Sequence, residues 1–480
     1  MALKSGLEYF ERIKRLKPNV FFGGKAVPRD TPELATAVNV TRLTFDAAFR
    51  PEYRDWVVTK SHLTGEEINR FNHVHRSPED LLKKQEMIRK LAPLAGSCIQ
   101  RCMSNDVLNA LGIVTREIDE AKGTDYHPHF LKYLEHYQKE DLMAGGSQTD
   151  SKGDRSKRPH EQADPDLYLR IVEKRRDGIV VRGAKLHNTS ASYSDELLVI
   201  PTRALTAADK DWAVAFAIPA DTDGVKLITR ITSARARIEC KAPYNEVGGW
   251  ADSFTIFDNV FVPWERVFMC GEWEFGGRLA LLFANYHRHS YTGCKPGVAD
   301  IFMGACALLA EYHGVGNAPH IRDEIAEIMA LAELVYAAGI ASSVKAKPTL
   351  SGIYEPAFIY SNAGRYLAGK NVYHEYDTLC AIAGGLPATL PTEGDWLNPE
   401  TKGFLEKYIM RNPKINAEKQ HRLFRFVSDF SCSAVGGVCQ YAGVHGGGSP
   451  VMELIGIRSQ YDLESKKKLV KYLAGIEDER

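Results

Sequence analysis

Two remote segments of the chain carry side chains that bind metals. In AGSCIQRCMSND, Cys98 and Cys102 stand four residues apart, a spacing that on a helix sends both sulfurs off one face, one turn from each other. In NYHRHSYTGCKPG, His287, His289, Tyr291, Cys294 and Lys295 fall within nine positions, a density of ligands and proton carriers that packing alone does not require. Three thiolates and one imidazole make a complete four-ligand site. Thiolates select zinc or iron–sulfur clusters, and an imidazole in place of one thiolate changes the electronics of its iron and leaves that iron more open. Spacing alone does not separate a cluster from a structural zinc with three Cys and one His, and an isolated cysteine pair is also common buried packing.

A second set of residues suits a flavin or another phosphate-bearing cofactor. GSQTDSKGDRS supplies Thr149, Asp150, Lys152, Gly153, Asp154 and Arg155, whose amides, hydroxyls and cations suit a pyrophosphate, although an exposed polar loop has the same composition. HNTSASYSDE, opening with His187 and Thr189, falls between two expected strands, where a hydroxyl can meet a flavin edge or simply form a Ser/Thr turn. AIAGGLPATLPTE sets Gly384 and Gly385 between helical segments, which permits close backbone approach or a helix cap. No dinucleotide fingerprint follows a strand and no P-loop signature occurs, which disfavours a Rossmann site or a P-loop NTPase. His73, His75, His127, His129 and His445 show no partner pattern and read as structural.

Positioning these residues falls to three stretches of different period. LEYFERIKRL, PEDLLKKQEMIRKLAPLAG and HFLKYLEHYQKEDLMAG repeat apolar residues at steps of three and four, which predicts helices. From about Asp166, LYLRIVEK, IVVRGAKL, ELLVIP, WAVAFAIP and SFTIFDNVFVP are short and β-branched, punctuated by Gly, Pro and Asp, and predict strands. After Trp273 the helical period returns in DIFMGACALLAEYHGV, IRDEIAEIMALAELVYAAGIASSVKA and KQHRLFRFVSDFSCSAVGGVCQYAGV, greasy enough to need burial on several sides. The expectation is an α+β protein with an N-terminal helical domain (1–140), a middle β domain (141–275) and a C-terminal helical bundle (276–480). That order is the organisation of the acyl-CoA dehydrogenase class.

Composition narrows the partners. With 44% hydrophobic and 25% charged residues the chain is of ordinary globular make-up, and Lys+Arg 61 against Asp+Glu 61 gives no long-range pull toward nucleic acid. No stretch nears the ~20 uninterrupted apolar residues of a membrane helix, and the charged start does not read as a signal peptide, so the expectation is a cytoplasmic protein without a membrane partner. Nine cysteines, an odd number scattered from Cys98 to Cys439 and including Cys240, argue against a disulfide framework.

SCIQRC, TDSKGDRS, DPDLYLRIVEKRRDGIVVRGAK, IFDNVFVPWERVF and YHRHSYTGCKPGVAD together resemble the 4-hydroxyphenylacetate 3-hydroxylase family and, within it, the 4-hydroxybutyryl-CoA dehydratases, over most of the chain. The resemblance implies a 4Fe-4S cluster on Cys98, Cys102, His287 and Cys294, FAD beside it, an acyl-CoA thioester substrate, and a homotetramer of acyl-CoA-dehydrogenase-like subunits. It implies radical dehydration of a 4-hydroxyacyl-CoA, of the 4-hydroxybutyryl-CoA to crotonyl-CoA type, or vinylacetyl-CoA Δ-isomerisation. It places Thr189 at flavin and substrate, Tyr291 and Lys295 near the reacting carbons, and Thr149 to Arg155 along the cofactor. The need for both cofactors is physical. The C3 proton is not activated by the thioester carbonyl, and one-electron withdrawal after loss of the C2 proton makes it acidic, while an iron stabilises the departing oxygen.

In this reading His287 is a ligand and a proton acceptor when displaced, Tyr291 an acid/base group, and Lys295 a positive charge. His289 is a candidate only by proximity and reads as a hydrogen-bonding neighbour of the metal ligands. The family pattern has glutamate where Asp252 and Ala442 align here, so the carboxylate reach at 252 is shorter and the second carboxylate is gone, unless Glu453 replaces it. Two alternatives stay open: a two-component flavin monooxygenase acting on a phenol, and a zinc-stabilised helical assembly protein without catalysis.

Overall fold

The strand-forming segments of the middle region build two main sheets, beside which two short two-stranded ladders, Val58–Lys60 with Glu67–Asn69 and Lys347–Pro348 with Tyr354–Glu355, lie elsewhere. The computed structural model describes residues 2–233 and 242–476, so Cys240 lies outside the described residues. The larger sheet has six strands in the order Lys25–Val27, Val20–Phe22, Val225–Ser233, Gly249–Pro263, Gly178–Thr189 and Arg170–Lys174. The smaller runs Val267–Cys270, Val214–Pro219, Glu196–Val199 and Ala144–Ser147. Alternation along the strands sends Ile179, Val181, Phe216, Ile218, Phe257 and Val260 into one core, where Phe216 and Phe257 meet edge to face at 5.9 Å. Long antiparallel pairing between Gly249–Pro263 and Gly178–Thr189 sets Asp252 opposite Thr189.

Two strands of the larger sheet fall outside the expected strand region. Val20–Phe22 and Lys25–Val27 lie in the stretch read as helical, yet they extend the large sheet, with Val20 and Phe21 paired to Leu227 and Ile228. Three residues are too few to show a period of two, so the tertiary ladder decides their conformation.

Helices flank the sheets on both sides in sequence. Ser77 accepts from the Asp80 N–H with Pro78 at the first position, which starts Pro78–Ala95, and Gly96 at φ 67° ends it. Cys102–Lys122 and Tyr126–Lys139 follow. The C-terminal half begins with a 40-residue helix, Trp273–Tyr312, then Pro319–Val344 and Phe358–Lys370. The stretch read as one segment from Lys419 onward is two helices, Ala417–Cys432 and Ala434–His445, split where the Ser433 hydroxyl accepts the Gly436 N–H at 3.3 Å.

GCKPG, with two glycines and a proline that ordinarily break helices, sits inside the 40-residue helix. Pro296 has no N–H, so the Thr292 carbonyl four residues earlier loses its helical partner. Gln85 Nε2 replaces that donor at 3.3 Å and also reaches the Tyr336 carbonyl at 2.8 Å. Gly293 and Gly297 let Pro78–Ala95 cross closely: a Cβ on Gly297 would lie 2.7 Å from the Arg89 carbonyl, and one on Gly293 would strike the Gln85 carbonyl. The motif is a helix crossing that fixes Cys294 and Lys295 against the N-terminal half.

Candidate metal centre and catalytic site

Cys98 and Cys102 do not share a helix face, which corrects the expectation from their spacing. Pro78–Ala95 ends before Cys98, and Cys102 is the first residue of the next helix. Between them Gln100 adopts φ 61°, held there by its donation to the Gly249 carbonyl at 3.0 Å and by a short hydrogen bond from Tyr193. The left-handed turn curls the connection so that the sulfurs still converge. The Cys98 thiol is in hydrogen-bond contact with both Cys102 and Cys294, and the Gln100 N–H points at Cys98 Sγ from 3.4 Å.

The long helix supplies the remaining groups. His287, Tyr291 and Cys294 are spaced by four and three residues and fall on one face. His287 Nδ1 lies 2.9 Å from Asp106 Oδ2. A carboxylate only accepts, so Nδ1 carries the proton and Nε2 keeps a lone pair for a metal. Asp106, one turn beyond Cys102, was missed in the sequence, although its i+4 spacing from a candidate ligand was visible. Ligand atoms of Cys102, Asp106 and His287 lie within 4.8 Å of one another. Asp106 is already saturated, by Lys84 Nζ at 2.6 Å, Ser290 Oγ at 2.9 Å and His287, so its place is behind the imidazole. Burial pushes its carboxyl pKa up, but the Lys84 charge and the His287 hydrogen bond outweigh this and hold it below the usual range.

Three thiols crowded together cannot all ionise unaided. Hydrogen bonds from Cys102 and Cys294 bring Cys98 well below the ordinary thiol range, whereas donation to Cys98 and burial push Cys102 and Cys294 well above it. A soft cation relieves that repulsion, so the donor set fits a thiolate-bound metal centre.

The site has a backbone wall. Gly447, at φ 75°, faces His287 so closely that a Cβ would sit 3.0 Å from the imidazole Cδ2, and one on Gly446 would sit 2.9 Å from the Tyr291 hydroxyl. Buried arginines clamp this loop: Arg288 donates to the Gly447 carbonyl at 2.9 Å and Arg365 to that of Gly446 at 2.7 Å. Arg365 also lies over the Tyr291 ring at 4.2 Å, and the Tyr291 hydroxyl donates to the Ala442 carbonyl at 2.6 Å. Burial raises the Tyr291 phenol above its ordinary value. Lys295 pairs closely with buried Glu375. Glu453 is buried 3.6 Å from Arg288, where it faces the arginine clamp.

Thr189 and Asp252 meet as the sheet register dictates, Thr189 Oγ1 donating to Asp252 Oδ1 at 2.6 Å. Trp250 Nε1 donates to the same oxygen at 2.9 Å, and its ring packs with Val435 and Val438, next to Cys98, Cys439 and Ala442. Trp250 therefore joins the carboxylate to the thiol cluster. In the Thr149 to Arg155 loop, Asp150 is tied to Lys185 Nζ at 2.8 Å and Asp154 to Ser156 at 2.7 Å. Lys152, at φ 71°, and Gly153, at φ 50°, turn the loop; Lys152 is half-buried, and burial and Arg155 lower its pKa. Gly384 and Gly385 follow the helix Val372–Ala383 and are exposed. His289 Nε2 lies 2.7 Å from Ser343 Oγ, turned into the helix packing.

This combination of helical flanks, paired sheets and a buried thiol–imidazole cluster defines a class of α+β proteins with a shared architecture. The model of the 4-hydroxyphenylacetate 3-hydroxylase N-terminal region matches residues 5–269 and that of its C-terminal region residues 277–475, and the chain belongs to this family. It is similar to a 4-hydroxybutyryl-CoA dehydratase/vinylacetyl-CoA-Δ-isomerase of Clostridium aminobutyricum, 39% identical over 99% of this chain and 100% of that one. The oxygenase component of a 4-hydroxyphenylacetate 3-monooxygenase from a Geobacillus strain is 29% identical over 98% and 96%. Among solved structures, an oxygen-tolerant archaeal 4-hydroxybutyryl-CoA dehydratase from N. maritimus superposes with a TM-score of 0.95 at 38% identity, covering 99% of this chain and 96% of that one. A 4-hydroxyphenylacetate 3-monooxygenase oxygenase component complexed with FAD gives 0.89 at 25% identity, covering 98% of both.

Proposed function

We propose that the chain is a 4-hydroxyacyl-CoA dehydratase with vinylacetyl-CoA Δ-isomerase activity, carrying a 4Fe-4S cluster on Cys98, Cys102, Cys294 and His287 together with FAD. The observation that carries this reading is the convergence of three thiols with an imidazole whose far nitrogen is fixed by Asp106. When bound, the cluster supplies a Lewis-acidic iron at its imidazole ligand and the flavin supplies reversible one-electron chemistry. Lys152, Arg155 and the backbone turn at Gly153 suit the flavin phosphates, with Thr189 at the ring and Gly384 and Gly385 contributing backbone.

The chain's own side chains divide the proton work. Asp252 has Oδ1 occupied, while Oδ2 has no hydrogen-bond partner among the described residues, which suits it to accept the C2 proton beside the thioester. The Tyr291 hydroxyl, protonated and held by Ala442, hydrogen-bonds near the leaving oxygen. The Lys295–Glu375 pair places a buried cation next to Cys294. The Gly446–Gly448 wall excludes water and brings substrate against His287. The subunit is of acyl-CoA-dehydrogenase-like design and assembles as a homotetramer, in keeping with exposed Met329, Leu334, Val344, Leu469 and Val470 on its C-terminal helices.

Anaerobic purification followed by metal, sulfide and flavin analysis tests the reading, alongside turnover of 4-hydroxybutyryl-CoA and vinylacetyl-CoA read by mass spectrometry. About four irons and one FAD per chain, with formation of crotonyl-CoA, are expected. Iron near zero with phenol hydroxylation by reduced flavin and oxygen replaces it with a monooxygenase, and zinc without flavin with an assembly protein.

A further inference from the structure

We propose that Trp250 is the positioning residue that sets the reach of Asp252, an inference that rests on the acid/base role given to Asp252 above. Trp250 and Asp252 are i and i+2 on one strand, so their side chains leave the same face of the sheet, and Thr189 stands directly across from Asp252 on the neighbouring strand. Geometry turns this placement into a clamp. Trp250 Nε1 and Thr189 Oγ1 donate to the same oxygen, Oδ1, at 2.9 and 2.6 Å, while Oδ2 accepts no hydrogen bond among the described residues. Two donors on one oxygen fix the direction in which the other is presented.

The clamp is anchored on its far side. Trp250 is buried, its ring set among Val435 and Val438 with Cys98, Cys439 and Ala442 alongside, and its own carbonyl accepts the Thr232 hydroxyl at 3.2 Å. The preceding Gly249 carbonyl accepts Gln100, the residue that shapes the Cys98 turn. The indole cannot follow a carboxylate that swings away. An aspartate, one methylene shorter than a glutamate, has little slack, so the placement of Oδ2 depends on its two donors.

The test compares Trp250→Phe, which keeps the ring and removes the N–H, with Trp250→His, which restores a ring N–H, and with Asp252→Ala, alone and combined with Trp250→Phe. The expected result for Trp250→Phe in the metal- and flavin-loaded enzyme is a kcat about tenfold lower or worse, with KM within about twofold, because a misplaced group costs rate and not binding. Trp250→His falls between it and wild type, and Trp250→Phe has no further effect on Asp252→Ala. An unchanged kcat in Trp250→Phe, or an equal loss in the Asp252→Ala background, overturns the proposal while leaving the proposed function in place. Ultraviolet resonance Raman provides a readout that needs no turnover. The wild-type minus Trp250→Phe difference isolates one of the six tryptophans, and its indole N–H band shifts to the weakly bonded position in Asp252→Ala. No shift overturns the clamp. Should the wild-type enzyme turn over no acyl-CoA, the proposed function falls and the Raman comparison alone decides the contact.

Discussion

Replacing Asp106 by Leu separates the part this residue plays in orienting His287 from its structural one. The carboxylate is fully buried and bonded to Lys84 at 2.6 Å, to Ser290 at 2.9 Å and to His287 at 2.9 Å. Removing one partner of a buried ion pair leaves the other uncompensated, which costs about 3–5 kcal/mol. Losing the hydrogen bond that orients a ligating imidazole costs about 10–100-fold in metal affinity. Lys84→Met separates these effects, because it breaks the same ion pair and leaves the Asp106–His287 bond standing. Combined, Asp106→Leu and Lys84→Met remove both charges and recover most of the stability but none of the metal affinity. Urea unfolding and iron retained after a timed chelator challenge measure the two quantities on one preparation. Iron retention in Asp106→Leu equal to that of wild type, alongside the expected loss of stability, would refute the view that Asp106 orients His287.

Three further outcomes follow from the same geometry. Gly447→Ala forces a side chain into a left-handed conformation 3.0 Å from His287 Cδ2, and is expected to cost about 1–2 kcal/mol in urea unfolding and to lower kcat/KM; full activity would show that the glycine wall has slack. Gln85→Leu leaves the Thr292 carbonyl without the donor that Pro296 cannot supply, and a loss of about 1–3 kcal/mol is expected; an unchanged urea midpoint would mean that the freed carbonyl finds another partner. His75 is buried with neither ring nitrogen bonded among the described residues, and burial, followed by the Lys84 charge, pushes its pKa well below the ordinary value. The unfolded chain therefore binds the extra proton first, so the stability His75 contributes is present above about pH 6.5 and is lost on acidification at about 1.4 kcal/mol per pH unit. His75→Leu is expected to flatten that part of the profile between pH 7 and 5.5; identical slopes would contradict it.

Much of this arrangement was legible before any coordinates. The amphipathic period found Pro78–Ala95 and Tyr126–Lys139, and the β-branched runs found Gly178–Thr189 and Gly249–Pro263, because their own residues carry the pattern. The proximity of Cys98, Cys102, His287 and Cys294 followed from residue chemistry and a resemblance, but the route by which Cys98 and Cys102 meet did not. A helical spacing suggested one face, whereas Gln100 turns left-handed because Gly249 and Tyr193, both remote in sequence, hold its side chain. Gly293, Pro296 and Gly297 look like a break and are a crossing, since Gln85 restores the missing donor from another helix. Trp250 and Glu375 carried no local signal, as their roles exist only once sheet register and helix packing bring Asp252 and Lys295 to them.

The most direct measurement is an anomalous difference map collected at the iron edge from anaerobically grown crystals. Strong density enclosed by Cys98, Cys102, Cys294 and His287, of a size that resolves into several iron atoms, is the expected result. An empty site there, or a single peak that appears only at the zinc edge, would contradict the cluster and with it the dehydratase chemistry.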